Sequence, residues 1–466
     1  MSKVLKMLFL LLFVCAFTAV AQESKPKYIF LFIGDGMSFP QRMAADEYSR
    51  VTAGKPLAIN QMKYQAVTTT RSANSFITDS AASGTAIACG EKTNNGMIGM
   101  TPDGKKLTSV ATAAKAKGRK VGIVTSVTIN HATPAAFYAH NKSRGNYYQI
   151  ALEMLDSNFD YFGGGGIAKN DQKSDKMYRG DIYVLAEKAG YFVSREGKKF
   201  DQVKPGMSKV MSFGSDKELP YAINMKKNDL RLADFVRQAI SVLDNPDGFF
   251  LMAEGGKIDW LCHGNEAGAA VLEVLDFNKA VEVAFEFAEK HPSETLIVVT
   301  GDHETGGLTL GFAGTGYKSY IGRIAHLKGN SGAFMTQMKV VEKKKKKISL
   351  ADVHKIIADQ FGMVIPKGKE AAPNTMELTS AELAAIESAY NKQFVNGKWV
   401  RNKKGARVSF VEKEVSRIFN NKASLGWTSG AHTALPVNTT ASGVGAEKFS
   451  NMIDNTDISK KLKELL

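Results

Sequence analysis

The stretch that decides the fold is Tyr28–Gly36, YIFLFIGDG, a short and continuous apolar run that ends in Gly-Asp-Gly. Two later apolar runs, Gly248–Ala253 and Thr295–Thr300, also end beside acidic residues, Glu254 and Asp302. Short apolar runs rich in Ile, Val and Phe are typical of strands that are buried on both faces of a parallel sheet. The three runs therefore predict interior strands of one such sheet.

The acidic residues that follow these strands predict a metal centre. In open α/β sheets, ligands bind at the carboxyl ends of the strands, so these acids should converge at one edge. Several carboxylates brought together repel one another unless cations neutralise them. His263 and His303 follow two of the strands closely, and mixed Asp and His side chains are a ligand set for transition metals. The pattern indicates an enzyme with several metal ions.

Residues 27 to about 313 alternate apolar strands with helical segments, which predicts a doubly wound, mostly parallel α/β sheet flanked by helices. We expect helices at Lys105–Gly118 and Ala267–Lys290, and a strand at Val121–Thr125. The glycine run Gly163–Gly166 could suggest a phosphate-binding loop, but it lacks the Lys-Ser/Thr ending of one. We therefore predict a tight surface turn there.

The composition changes near residue 314. Residues 314–426 are richer in Lys, Gly and Asn, with a helical piece at Ser380–Tyr390, and indicate an inserted, crown-like segment rather than a second core. Residues 427–466 return to a Gly/Ser-rich loop and end in a helix near Ile458–Leu465. We predict that this last part completes the catalytic core that residues 22–313 begin.

The first 21 residues have the pattern of an export signal. Lys3 and Lys6 precede the apolar stretch Met7–Phe17, and Ala19–Ala21 provides a small-residue cleavage site. The apolar stretch is too short to span a bilayer, and no later run is long enough. The alternative is a helix that lies at a membrane interface. We predict an exported protein, periplasmic or secreted, with no membrane span.

The remaining composition sets few further limits on function. The 466 residues carry a formal net charge of +15, concentrated in part at Lys343–Lys347. Such a run usually forms a solvated face, and binding of anionic substrates or polyanions is the alternative. Cys89 and Cys262, which remain after the signal, cannot form a disulfide scaffold. Cys262 lies beside His263, and we interpret it as a buried thiol rather than a metal ligand.

The second informative segment is Asp79–Ala86, in which a polar pair opens a run of small residues. It predicts a helix packed closely against the sheet, with Ser80 at its N-terminus, where backbone N–H groups and the helix dipole favour an anion. Taken alone, the segment is explained by simple helix capping. Beside a metal-binding cluster of acids, an exposed serine becomes a candidate nucleophile.

Further candidate ligands come from three places in the chain. Thr133 offers a hydroxyl oxygen to a hard cation, and Arg144 offers a planar fork that matches two phosphate oxygens. Asp259 and His263 are four residues apart, so they share one helical face. His432, in a Gly/Ser-rich loop, can complete their set. We interpret the remaining histidines as structural or exposed: His140, His291, His326 and His354.

Together these motifs resemble the exported bacterial alkaline phosphatases over most of the chain. The motifs that carry the resemblance occur in family order and are Gly34–Gly36, Thr78–Ala82, Ala132–Pro134 with Arg144, Glu254–Gly255, Ile258–Asp259 with His263, Thr300–His303 and Ala431–Thr433. Each motif alone is weak, and the combination at suitable spacing is specific. The resemblance implies a phosphomonoesterase of broad scope, with small-molecule substrates, no specific nucleic acid partner and a homodimeric state.

The resemblance also implies two zinc ions and one magnesium ion. The first zinc site would consist of Asp259, His263 and His432. The second would consist of Asp35, Asp302 and His303, with Ser80. The magnesium site would consist of Asp35, Thr133 and Glu254. An all-oxygen set suits magnesium better than zinc. Ser80 would attack phosphorus and become a phosphoserine, while Arg144 would hold the non-bridging oxygens.

Two positions depart from the enterobacterial pattern. His131 stands where that enzyme has an aspartate, and Trp260 stands where it has a lysine. The His/Trp pair resembles a bacterial subgroup that includes cold-adapted marine enzymes. We expect His131 to act on the third site as an indirect or water-mediated partner of the metal. An imidazole in place of an acid could weaken magnesium or favour zinc, so the identity of the third metal stays open.

Two alternatives compete with a phosphomonoesterase. One is a sulfatase or phosphodiesterase of the same superfamily. Cys89–Lys92 does not supply the Cys/Ser-x-Pro-x-Arg motif of a sulfatase, and a diesterase more often has Thr where this chain has Ser80. The other is a non-catalytic exported protein that binds phosphate or polyanions. It would explain the positive charge but not the cluster of Asp and His residues.

Overall fold

The computed structural model describes residues 25–368, 370–371, 375–403 and 407–466. The signal predicted for residues 1–21 lies outside these ranges. The central element is a ten-stranded sheet in the order β16-β2-β15-β8-β1-β7-β3-β4-β6-β5. Its strand β15 runs antiparallel to both neighbours, and the other nine strands run parallel to one another. The mostly parallel α/β sheet predicted from the sequence is confirmed.

The strands are β1 (Tyr28–Gly34), β2 (Tyr64–Thr69), β3 (Lys120–Thr128), β4 (Tyr161–Gly165), β5 (Phe192–Ser194), β6 (Val210–Phe213), β7 (Phe249–Gly255), β8 (Thr295–Gly301), β9 (Glu304–Thr305), β10 (Leu308–Leu310), β11 (Phe394–Val395), β12 (Lys398–Trp399), β13 (Leu425–Trp427), β14 (His432–Thr433), β15 (Val437–Gly443) and β16 (Asn451–Asp454). Small two-stranded sheets pair β10 with β13, β11 with β12 and β14 with β9.

The α-helices are α1 (Phe39–Ala53), α2 (Ser80–Cys89), α3 (Val110–Ala116), α4 (Ala132–Ala135), α5 (Tyr147–Asp156), α6 (Ile182–Lys188), α7 (Leu232–Leu243), α8 (Lys257–His263), α9 (Ala267–Ala288), α10 (Ser331–Lys345), α11 (Leu350–Phe361), α12 (Ser380–Gln393), α13 (Phe410–Lys422) and α14 (Asn455–Leu465). Short 3₁₀ turns lie at Ala58–Asn60, Phe200–Gln202, Ala222–Asn224, Ala313–Thr315, Ile321–His326 and Ala446–Lys448. None of the helices in the described ranges is long and apolar enough to cross a membrane.

Strand β1 shows why the apolar runs lie in the interior of the sheet. All seven of its residues are buried. Ile29 and Leu31 belong to a hydrophobic cluster on one face of the sheet, whereas Phe30 and Phe32 belong to the cluster on the other face. Side chains alternate between the two faces of a strand, so a strand covered on both faces needs an unbroken apolar run. The helices on the two faces provide this cover.

The glycine run was predicted wrongly. Gly163–Gly165 lie in strand β4, in the interior of the sheet, and are buried rather than at a surface turn. A Cβ atom on Gly164 would lie 1.9 Å from the carbonyl oxygen of Thr125 on β3, and its φ is +107°. Next to this glycine, the register between the two strands shifts between Thr125 and Thr128. Glycine is required here because the two backbones approach closely at an irregularity of the ladder.

Two helices begin elsewhere than predicted, in each case at a capping residue. Helix α3 begins at Val110 rather than Lys105, because the Ser109 hydroxyl accepts a hydrogen bond from the backbone N–H of Thr112 at 3.0 Å. The terminal helix α14 begins at Asn455 rather than near Ile458, behind Asp454, whose carboxylate accepts from the backbone of Thr456 at 3.0 Å. Such caps satisfy backbone donors that have no partner within the helix.

The segment at 314–426 has a core of its own, which its composition did not predict. Helices α10 to α13 and the β11–β12 hairpin surround a separate hydrophobic cluster that includes Phe334, Ile357, Phe361, Ile386 and Phe419. The apolar residues recur at helical spacing between Lys and Asn, so a composition average conceals them. That this segment is an insertion, with the boundaries given above, stays a prediction.

Candidate active site and metal centre

The strand register brings the three predicted acids to one edge of the sheet. Gly34 pairs with Gly255 on one side and with Gly301 on the other, and Ile33 pairs with Glu254. Asp35 and Asp302 therefore follow neighbouring strands at the same level, beside Glu254. All three side chains are fully buried. Three buried carboxyl groups therefore lie close together at this edge of the sheet.

The first group of candidate ligands consists of Asp259, His263 and His432. The Nε2 atoms of the two histidines are 3.2 Å apart, and they lie 3.4 and 3.5 Å from Asp259 Oδ1. Their Nδ1 atoms each contact a backbone carbonyl at 2.8 Å, that of Gly430 for His263 and that of Thr78 for His432. An Nδ1–H donated to a carbonyl leaves Nε2 free to bind a metal. The three ligand atoms therefore converge on one point.

The second group consists of Asp35, Asp302 and His303. Nε2 of His303 lies 3.3 Å from Asp35 Oδ1 and 3.2 Å from Asp302 Oδ2. The same Nε2 atom lies 3.2 Å from the hydroxyl oxygen of Ser80. The serine therefore lies directly at this group.

The third group contains His131 in addition to the acids. The ligand atoms of Asp35, His131 and Glu254 all lie within 4.8 Å of one another. The expectation was that His131 would contact this site only indirectly. The structure instead places it among the carboxylates, as a candidate direct ligand. His131 is the residue that precedes helix α4, so the turn into this helix directs the ring toward the strand ends.

Several buried polar atoms of the third group have no hydrogen-bond partner among the described residues. They include both carboxylate oxygens of Asp35 and Nδ1 of His131, while the Thr133 hydroxyl lies within reach of the Glu254 carboxylate. Buried polar atoms without a partner are rare because each one costs free energy. Atoms that converge and lack partners fit a bound cation, which would satisfy them all.

The pKa values of the buried acids at the site also indicate that bound cations would be needed to keep these acids ionised. Burial, with the neighbouring acids, raises the pKa of Asp35 well above its usual value. Burial also raises the pKa of Glu254 to about 8 and that of Asp302 to about 6. Burial opposes ionisation of Asp259 as well, but its hydrogen bond with His432 and the nearby imidazoles lower its pKa overall. Metal cations would keep all four ionised at neutral pH.

The histidines at the buried groups are neutral. Burial lowers the pKa of His303 well below its usual value, and burial together with Arg144 lowers that of His131 to about 3. Neutral imidazole is the form that binds metals. The donor set of each group, carboxylate oxygens with imidazole nitrogens, therefore fits a transition metal such as zinc.

Helix α2 places Ser80 as its first residue, with Asp79 as the cap. Asp79 Oδ1 accepts from the backbone N–H of Ala82 at 3.0 Å. Asp79 therefore caps the helix, and the Ser80 hydroxyl is not used for that purpose. Ser80 is only 2% exposed, which differs from the exposed serine expected from the sequence. The hydroxyl lies on the side of the helix that faces the acids.

Arg144 lies beside the serine. Its Nη1 donates to Asp79 Oδ2 at 3.0 Å, and its backbone N–H is fixed by the carbonyl of Gly96 at 2.8 Å. Within the described ranges, no hydrogen bond involves its Nε or Nη2. The guanidinium is thus held by one edge, with donors left for an anion next to Ser80.

Sequence reasoning missed two hydroxyl residues at the site. The Thr305 hydroxyl donates to Asp259 Oδ1 at 2.6 Å and lies 3.2 Å from Nδ1 of His303, so it connects the first and second groups. The Ser83 hydroxyl donates to Asp302 Oδ2 at 3.1 Å. Spacing could have found both, because Thr305 is two residues after His303 and Ser83 is three residues after Ser80.

Other residues named from the sequence lie next to the three groups or outside them. The rings of Trp260 and His131 pack edge to face, with centroids 6.0 Å apart. Cys89 and Cys262 are free buried thiols, and neither belongs to the three groups. None of the four remaining histidines named above belongs to them either, and no residue of the described parts of 314–426 does.

Comparison with known proteins finds relatives over nearly the whole chain. The sequence profile of the family described as "Alkaline phosphatase" matches residues 26–466. Alkaline phosphatase 3 of Bacillus subtilis is 32% identical over 465 residues, which cover 96% of this chain and 92% of that protein. Alkaline phosphatase 4 of the same organism is 35% identical over 402 residues, which cover 84% and 77% of the two chains.

Solved structures with the same fold include two bacterial enzymes. The cold-active alkaline phosphatase from a psychrophilic Shewanella species superposes with a TM-score of 0.78 at 28% identity, over 94% of this chain and 99% of that one. The alkaline phosphatase of Thermus thermophilus superposes with a TM-score of 0.77 at 26% identity, over 96% and 94%.

Proposed function

This chain belongs to the alkaline phosphatase family and is a phosphatase, and from that premise we propose how it acts: it hydrolyses small phosphate monoesters of broad scope through a phosphoserine on Ser80. One observation carries the proposal. The Ser80 hydroxyl lies 3.2 Å from Nε2 of His303, at the N-terminus of α2, beside Arg144 and among the convergent acids. A nucleophile, an anion clamp and ligands for metal ions therefore meet at one point.

The first group, Asp259, His263 and His432, would hold one zinc ion. The second, Asp35, Asp302 and His303, would hold another, with Ser80 alongside. Asp35, Thr133, Glu254 and His131 would hold a third ion, either magnesium or zinc. Such ions, when bound, act as Lewis acids that favour the ionised serine hydroxyl and offset the charge of the phosphoryl group and of the leaving oxygen.

The residues of the chain perform the remaining tasks. Ser80 Oγ forms a bond to phosphorus while the ester bond from phosphorus to the leaving oxygen breaks, and the alcohol departs. Water then cleaves the phosphoserine, which releases inorganic phosphate and restores the hydroxyl. Nε and Nη2 of Arg144 hold the non-bridging oxygens through both steps. Little of this machinery contacts the alcohol, so many monoesters should react.

The test compares wild-type protein with Ser80→Ala on a monoester, a diester and a sulfate ester. We expect monoester turnover to dominate and to fall by about a thousandfold or more in the variant, with zinc content by mass spectrometry retained. Incubation with radiolabelled phosphate should label wild type on Ser80 only. A label on another residue, or wild-type turnover in the variant, would contradict the assignment.

Export and a homodimeric state complete the proposal. Export rests on the sequence resemblance and on the signal pattern of residues 1–21, and the homodimeric state rests on the resemblance alone. N-terminal sequencing of protein from the cell exterior or periplasm tests the first, and light scattering after size-exclusion chromatography tests the second.

A further inference from the structure

A cavity of about 820 Å³ opens directly beside the first group of ligands. One wall contains His263 and Gly430, whose carbonyl oxygen contacts Nδ1 of that histidine at 2.8 Å. Phe312 and Trp427 contribute aromatic surface. Residues of helix α13, in the 314–426 segment, also line the cavity. The cavity therefore lies between the metal centre and this segment.

The exposure of the ligands shows that the centre is open on the side of this cavity. The side chain of His263 is 39% exposed, whereas those of Asp35 and His303 are fully buried. A phosphoryl group bound to Ser80 would have the buried residues Asp35 and His303 on one side and the exposed His263 on the other. The leaving group of a substrate that extends toward His263 enters the cavity, which is large enough for a drug-sized organic group.

The face of helix α13 that lines the cavity changes from a neutral residue near the metal centre to cationic residues farther away. Asn420 lies near the metal centre, because its Nδ2 donates to the carbonyl of Asn265, two residues after His263, at 2.6 Å. Arg417 and Lys413 follow on the same face toward the N-terminus of the helix. Lys413 is seven residues from Asn420, which corresponds to about 10 Å along the helix axis. Lys413 thus lies about two turns, and Arg417 about one turn, from the contact near the metal centre.

The charge that the cavity offers to a ligand is positive. Lys413 and Arg417 are exposed, and no salt bridge of Lys413 occurs among the described residues. Arg417 is paired with Glu414 at 2.5 Å and still lines the cavity. The one acidic residue in the lining, Glu412, is 8% exposed, and its carboxylate accepts from the Ser409 hydroxyl at 2.8 Å. The carboxylate of Glu412 is therefore largely inaccessible to a ligand, whereas the side chains of Lys413 and Arg417 are accessible.

We propose that this cavity is a leaving-group subsite that favours phosphate monoesters carrying a second anionic group, with Lys413 and Arg417 as the residues that select it. The inference rests on the proposed phosphomonoesterase function and adds a substrate class to it. The distal anion lies about two helical turns from the metal end of α13, so rigid or extended leaving groups fit better than short ones.

The experiment uses the full-length, metal-loaded protein and two rigid substrates of equal size. 4′-Carboxybiphenyl-4-yl phosphate carries the distal anion, and its 4′-carboxamide is the neutral match. The quantity measured is the kcat/KM of the carboxylate substrate divided by the kcat/KM of the carboxamide substrate. Because ion pairs at accessible sites are modest, we expect the ratio to fall about threefold to fivefold in Lys413→Gln. It should fall about tenfold in Lys413→Gln/Arg417→Gln and further in Lys413→Glu.

Lys355→Gln is the control, since this exposed lysine lies on α11 and does not line the cavity. Its ratio should equal that of wild type. An unchanged ratio in the Lys413 and Arg417 variants, while both substrates are hydrolysed, overturns the subsite and leaves the phosphomonoesterase function intact. Failure of wild type to hydrolyse p-nitrophenyl phosphate overturns the proposed function itself, whereas hydrolysis of p-nitrophenyl phosphate but of neither biphenyl substrate overturns only the subsite.

Discussion

His131 is the residue at which the structure most changes what is expected of the site. A nitrogen of its ring lies with Asp35 and Glu254 in one group of ligand atoms, and its Nδ1 is buried without a hydrogen bond among the described residues. With its pKa lowered to about 3 by burial and by Arg144, the ring is neutral. It is therefore suited to bind a metal and poorly suited to accept a proton during turnover.

We expect His131→Asp to increase the magnesium requirement of the enzyme. The change converts a mixed oxygen and nitrogen set into an all-oxygen set, which magnesium prefers over zinc. Changes to metal-site partners commonly alter metal affinity about 10–100-fold. The measurement is activity against magnesium concentration at fixed zinc, together with bound magnesium by mass spectrometry. Unchanged magnesium dependence, with loss of an ionisation near neutrality in the pH–rate profile, would make the imidazole an acid–base catalyst.

Arg144→Ala should weaken inhibition by inorganic phosphate. Hydrogen bonds to charged groups contribute about 1.5–3 kcal/mol each, so we expect the inhibition constant to rise about 10–100-fold. The thermal melt should change little, because the side chain is partly exposed and pairs only with Asp79 in the described ranges. Arg195→Ala removes an exposed arginine that pairs with Asp216 and serves as the control. Equal phosphate inhibition in the two variants would exclude Arg144 from the anion site.

At the scale of secondary-structure elements, the pairing of β9 with β14 holds the ligands of two metal groups. Thr305 pairs with His432, and Glu304 pairs with Thr433. The buried carboxylate of Glu304 also accepts hydrogen bonds from the side chains of Gln41 and Thr433 and from the backbone N–H of Gly307. One carboxylate thus joins α1, the turn after β9 and the strand that carries His432.

We expect Glu304→Gln to lower zinc affinity at the first group, although Glu304 is not a candidate ligand. An amide replaces one acceptor oxygen with a donor and opposes the donors of Gly307 or Thr433. A loss of about tenfold or more in affinity is the size reported for groups that orient metal ligands. Zinc titration with a competing chromophoric chelator measures it, and excess zinc should restore activity. The exposed Glu447→Gln is the control. If Glu304→Gln lowers the melting temperature but leaves zinc affinity unchanged, Glu304 stabilises the fold and does not orient the zinc ligands.

At the scale of the whole molecule, the buried acids couple metal binding to stability. The pKa values of Asp35, Glu254 and Asp302 are raised in the folded protein. An acid with a raised pKa stabilises the fold fully below its unfolded pKa, and this contribution is lost progressively as pH rises from the unfolded to the folded value. For Glu254 this window runs from 4.5 to about 8. Metal-free protein should therefore lose stability as pH rises from about 5 to about 8.

Calorimetry of chelator-treated and metal-loaded protein at about pH 5, 6.5 and 8 tests this expectation. Each raised carboxyl contributes a slope on the order of 1 kcal/mol per pH unit across its window. The melting temperature of the metal-free protein should fall across this range, and the increase on adding zinc and magnesium should be largest at the highest pH. An increase that is independent of pH would show that the acids do not titrate in the metal-free fold.

The sequence by itself determined the central strands, the family and most candidate ligands. Continuous apolar runs such as Tyr28–Ile33 are typical of strands covered on both faces, and polar residues at the carboxyl ends of parallel strands meet at one sheet edge. These are local patterns, and local patterns can be read from one stretch of chain. The helix starts at Val110 and Asn455 were less certain, because the choice among several possible caps is decided by small free-energy differences.

Only the tertiary structure decided the features that depend on how separate stretches pack. It placed Gly163–Gly165 inside the sheet, because the close approach of β3 cannot be seen in β4 alone. It placed the ring of His131 with Glu254, from elements more than a hundred residues apart. It also brought Lys413 to the cavity beside His263. Side-chain convergence depends on strand register and helix packing, and both are set by the whole core rather than by any single segment.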